Sequence, residues 1–114
     1  DRPAVETTLN RMCVNPMQDK VNGIRAMAVE AQEEFDAARQ DASKPKAGSR
    51  ALIKLRGEFI RLYGMQQDLA NAAQSDSERA LTDGLLTDLE QINKQAHEAV
   101  NFTHVPLEQM AAMQ

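Results

Sequence analysis

A single cysteine, Cys13, stands in the chain, so no disulfide framework closes within one copy. No apolar run approaches the roughly 20 residues of a membrane span, and no signal-peptide core is visible. Cytoplasmic localisation is therefore expected; because the chain opens at Asp1, an export signal encoded upstream would change that expectation. Tryptophan is missing, and there are one tyrosine and three phenylalanines. Of the 48 hydrophobic residues 17 are alanine, and Leu, Ile, Val and Phe together number only 23 in 114. That lies near the composition below which chains fail to fold on their own, so a private core will be thin and burial against a second chain is favoured. A basic excess is also missing. The net charge is −4 and the pI about 5.1, which argues against direct nucleic-acid binding, since phosphate contact needs a basic face.

What is present is helical rhythm. Pro3 suits the first turn of a short helix over about 3–14, with Val5, Leu9, Met12 and Cys13 on one face. Asn15-Pro16 ends that piece, because the residue before proline avoids the helical region. Met17, Val21, Ile24, Ala28, Ala31, Phe35, Ala38 and Ala42 then alternate four and three residues apart, a heptad seam over 17–42. Gly23 lies beside the seam and weakens the helix locally. Ser43 to Ser49 is a loop by composition. A helix over 50–73, capped by Ser49, carries Leu52, Leu55, Phe59, Leu62, Gln66, Leu69 and Ala73. Ser75 and Glu78 form a capping box for a helix over 76–101 with Leu81, Leu85, Leu89, Ile92, Ala96 and Ala99 inward. Gly84 interrupts that helix or delays its start. Pro106 opens a terminal turn over 106–113. The fold class is all-α: one domain over 1–114, an antiparallel bundle of three long helices with short terminal ones.

Charge is sorted along the first long hairpin. Residues 30–41 carry −4 and residues 43–61 carry +5. Acids near a helix C-terminus and bases near an N-terminus both oppose the helix dipole. Antiparallel pairing brings the two clusters together, which suggests a role in register.

Gly57 and Gly64, seven residues apart, each cost about 1 kcal/mol against alanine in a helix interior. They lie beside the seam, on a stripe with Ile53 and Ile60 and with Tyr63 adjacent. Glycine lets a second backbone approach closely. The expected contact is a symmetric dimer interface on Ile53, Gly57, Ile60 and Gly64; the alternative is a tight crossing inside one chain, for example with the fourth helix. Six methionines suit adaptable surfaces. Met12, Met17, Met110 and Met113 are expected to contact a protein partner or to pack a terminal patch.

Catalytic chemistry finds little purchase. His97 and His104 form neither an H-E-x-x-H nor a Glu-x-x-His site and read as surface or cap residues. Cys13 on an apolar face reads as a small hydrophobe. The glycines are scattered and make no phosphate loop. The basic run Lys44–Arg61 and the acids Asp83, Asp88 and Glu90 read as solvated faces. No metal, cofactor or catalytic residue is expected, and the chain is expected not to be an enzyme.

The stretch RMCVNPM before a long amphipathic helix, followed by SRALIKLRGEFIRLYGM, resembles the small QslA-like quorum-sensing anti-activators of bacteria. The resemblance implies a helical homodimer that binds the ligand-binding domain of a LuxR-type transcription regulator and blocks its dimerisation. The residues alone, with thin core and exposed helix edges, point to a protein that occupies another protein's surface. Two other readings stay open: a small helical enzyme, for which a pocket lined by Arg56, Gln66 and a carboxylate would speak, and an exported helical chaperone or structural module.

Overall fold

A computed structural model describes residues 15–41, 43 and 46–113. Four helices follow in order: α1 (Asn15–Arg39), α2 (Ala47–Ala72), α3 (Asp76–Ala99) and α4 (Leu107–Ala112). No strand occurs among the described residues. The fold is the expected all-α bundle of three long helices. The short helix expected over about 3–14 lies outside the described residues.

The helix ends depart from the sequence reading for local reasons. Pro16 falls in the first turn of α1, where its missing N–H forfeits no helical bond, so Asn15-Pro16 opens this helix. After α1 stops at Arg39, the Asp41 carboxylate accepts from the Ser43 N–H at 3.1 Å and from its hydroxyl at 2.6 Å. Such Asx turns compete with helix continuation. α2 begins at Ala47, ahead of the expected start, with Lys46 at the N-cap and no side-chain cap; Ser49 lies inside the helix instead of capping it. Ser75 caps α3 as expected, accepting from the Glu78 N–H at 3.1 Å. The return bond is displaced by one residue, because Glu78 accepts from the Gln74 N–H at 3.1 Å. Gly84 neither interrupts nor delays α3. The helix ends in a Schellman motif, with Asn101 at φ 59° and Phe102 N–H donating to His97 O at 2.9 Å.

The three long helices all pack on one another, and α4 lies on α2. They run up, down, up: Arg56 meets His97, Gln66 meets Thr82, and Arg25 meets Asp88. The heptad seams face inward, with Val21, Ile24, Ala28 and Phe35 from α1 and Leu52, Leu55, Phe59 and Leu62 from α2 all buried. Burying such a side chain stabilises by about 1.5–3 kcal/mol. The buried face of α3 is rotated from the purely apolar stripe. Leu85, Leu89 and Ala96 are buried as expected, but Thr82, Asn93 and His97 are buried with them, while Ala99 is exposed. Among the described residues no helix is long and apolar enough to cross a membrane.

Candidate interaction surface

The glycine stripe lies on the back of α2, turned away from the core. Ile53 is 63% exposed, Gly57 and Gly64 are exposed, and Ile60 and Tyr63 are half-buried at the bundle edge. A Cβ built at Gly57 or Gly64 meets nothing within 4 Å. Neither glycine therefore serves a tight crossing with another of the described helices. The glycine that does is Gly48, where a Cβ would stand 3.3 Å from Arg39 Cγ and from Val100 Cγ1. It lets the first turn of α2 press against the ends of α1 and α3. Sequence reading had no signal for this, because composition placed Gly48 in a loop.

The methionine expectation needs correction in part. Met17 (9% exposed) and Met110 (5%) sit in the core cluster, so neither offers surface to a partner. Met17 lies in the first turn of α1 and Met110 in α4, and flexible side chains of this kind suit irregular core gaps. Met113 is 72% exposed, and Met12 lies outside the described residues.

A polar cluster joins α2, α3 and α4, and sequence reading missed it. His97, expected at the surface, is fully buried. Arg56 Nε donates to His97 Nε2 at 3.1 Å, and His97 Nδ1 lies 2.8 Å from Asn93 O. An arginine N–H only donates, so Nε2 accepts and the proton sits on Nδ1. Burial, aided by the Arg56 charge, holds His97 below its ordinary value of 6.5 against the backbone bond to Asn93; the imidazole is neutral. The Arg56 guanidinium also lies 5.7 Å over the Phe102 ring. Asn93 Nδ2 donates to Glu90 Oε1 and to Val105 O, each at 2.8 Å. Those bonds use both amide hydrogens, so His104 Nε2 carries its own proton and donates to Glu90 Oε1 at 2.9 Å. The Leu107 N–H, at the start of α4, donates to Glu90 Oε2 at 3.1 Å. Burial acts to raise Glu90, but the bonds from Asn93, Leu107 and His104 outweigh it and hold its carboxyl below 4.5. Each member holds another, and within this cluster the buried Asn93 Oδ1 has no partner among the described residues. This is a clamp for the C-terminal segment.

The pocket that would have pointed to an enzyme does not assemble from its residues. Arg56 is engaged by His97 and Phe102, whereas Gln66 is buried nearly three turns away, donating to Thr82 O at 2.9 Å. Among the described residues no three His, Cys, Asp or Glu side chains are grouped to hold a metal ion.

The sorted charges of α1 and α2 behave differently from expectation. They flank one trough of about 720 Å³ between the two helices. The ion pairs nearby stay within a helix, Arg39–Asp36 at 3.9 Å and Arg61–Glu58 at 2.7 Å. The described ion pair leaving α1 goes to α3, Arg25–Asp88 at 2.8 Å. No described pair crosses the trough, so ion pairing there does not set the α1–α2 register; the seams do.

No known protein family, curated protein or solved structure matches the chain.

Proposed function

We propose that this chain is a non-catalytic protein-binding module, and that it acts as an anti-activator: it sequesters a LuxR-type transcription regulator and blocks the regulator's dimerisation. The observation that carries the binding reading is the outer stripe of α2. An isoleucine 63% exposed stands beside two helix-interior glycines that have no neighbour among the described residues. Each glycine weakens α2 by about 1 kcal/mol and gains no close contact from the described residues. A helix from another protein laid across Gly57 and Gly64, flanked by Ile53 and Ile60, recovers that loss through close backbone approach. Competition of this kind needs only differential affinity. The regulator class rests on the sequence resemblance, to which the helical fold is compatible.

The test mixes the purified chain with the ligand-binding domain of each LuxR-type regulator encoded in the same genome and follows size by light scattering. At least one regulator should lose its dimer peak and enter a mixed complex. Ile53→Asp should abolish that effect at unchanged helix content. Regulators that stay dimeric in excess of this chain would sink the anti-activator reading; capture by Ile53→Asp equal to wild type would remove the stripe from it.

A further inference from the structure

We propose that the α1–α2 trough is the surface on which a second copy of this chain docks, through a two-fold axis running parallel to the helices. What is new is the interface: it is placed on the trough and not on the stripe of Ile53, Gly57, Ile60 and Gly64, and it rests on the trough's own charges and not on the anti-activator reading. Among the described residues the trough is lined by α1 and α2. Its floor is apolar and low, formed by Ala31, Ala38 and Ala51 over buried Phe35 and Leu55. Small side chains there admit a close facing surface. One wall, on α1, carries Glu30 and Glu34; the other, on α2, carries Arg50 and Lys54. Among the described residues none of these four takes part in an ion pair or a side-chain hydrogen bond. Acid and base thus stand on opposite walls of one trough without meeting.

That pattern is complementary to itself under one operation. A half-turn about an axis along the helices lays the copy's α1 on this chain's α2, antiparallel, and this chain's α1 on the copy's α2. Both acidic walls then meet basic walls, and the alanine floors face each other. A half-turn about an axis across the helices would lay acid on acid and base on base, which is repelled. The two-fold is isologous and closed, so it stops at a dimer. The glycine stripe lacks two facing walls of opposite charge. Along its trough edge stand Arg50, Lys54 and Arg61 with Glu58 between them, paired to Arg61 within the helix, and the stripe is left to a different protein.

The test reverses the walls one at a time and measures mass by sedimentation equilibrium in reducing buffer. The wild type should be a dimer at about 100 µM, a concentration at which micromolar pairs are associated. Glu30→Lys/Glu34→Lys and Arg50→Glu/Lys54→Glu should each be monomeric, with dissociation constants raised at least about hundredfold by like-charge contact. Mixed in equal amounts they should re-form a dimer containing one copy of each. All four side chains sit on the trough walls, outside the core, and circular dichroism will show helix content unchanged. Ile53→Asp should remain dimeric. A monomeric wild type, reversal variants that stay dimeric, a mixture that does not re-associate, or an Ile53→Asp monomer would each overturn this interface. Regulator capture by a monomeric wild type would overturn it while leaving the anti-activator proposal intact.

Discussion

Gly57 and Gly64 are residues whose meaning depends on what surrounds them. Their exposed positions leave room for a methyl group, so only the propensity difference acts on the isolated chain. Gly57→Ala and Gly64→Ala should each raise stability by up to about 1 kcal/mol, read as a higher urea midpoint, while weakening capture of the partner that crosses there. A lower midpoint in either variant would mean that α2 packs more closely at that point than described. His97 poses the opposite case, a polar side chain enclosed and satisfied. Its folded pKa lies below 6.5, so between the two values the unfolded chain binds the proton and the folded chain does not. The stability it contributes is complete above pH 6.5 and declines as the pH falls through 6.5 toward the folded value. His97→Leu should lose about 1–3 kcal/mol near pH 7.5, because Arg56 Nε and Asn93 O lose their buried partner. Its stability should also be flatter than the wild type's from pH 7.5 to 5.5. Parallel curves for the two proteins, measured by urea unfolding, would refute the role given to this imidazole.

At the scale of elements, the instructive member is α4. A helix of six residues does not hold itself in water. It is held by Leu107 and Met110 in the core and by Glu90, which receives its first N–H. The Glu90 carboxyl lies below 4.5, so its contribution is present above that pH and is lost as the pH falls through the folded value. Glu90→Gln should raise amide exchange at Leu107 about tenfold at neutral pH, since hydrogen bonds to a charged group are the stronger kind. Exchange in α1 should not change. Equal acceleration in both helices would mean that Glu90 supports the whole bundle and not this segment. The element scale also shows how far pattern reading reaches. The seams of α1 and α2 were legible as heptads, because their inward faces are almost wholly apolar. The face of α3 was legible only in its apolar half, because Thr82, Asn93 and His97 share the repeat with Leu85, Leu89 and Ala96. A search for helical spacing that admitted polar residues would have found it.

The whole molecule presents two surfaces of different character. The back of α2 offers exposed isoleucine and bare backbone; the α1–α2 side offers alanines between walls of opposite charge. Exposed ion pairs contribute only about 0–1 kcal/mol each, so charge in the trough selects orientation, and apolar contact supplies affinity. In 0.5 M salt, where the screening length falls to roughly 4 Å, the dimer should weaken without dissociating completely. A dimer unmoved by salt would show that the charged walls do not face each other.

The sequence by itself determined that the chain is helical, how many long helices it has and which faces of α1 and α2 turn inward. Those are local properties, written in the spacing of apolar residues within a few turns. Only the tertiary structure decided that Gly48 and not Gly57 marks the close approach inside the chain, and that Met17 and Met110 are core. It also decided that His97 is enclosed by an arginine 41 residues away and that, among the described residues, the facing charges do not pair. Each of these depends on which distant side chain arrives beside the residue, and no local period encodes that.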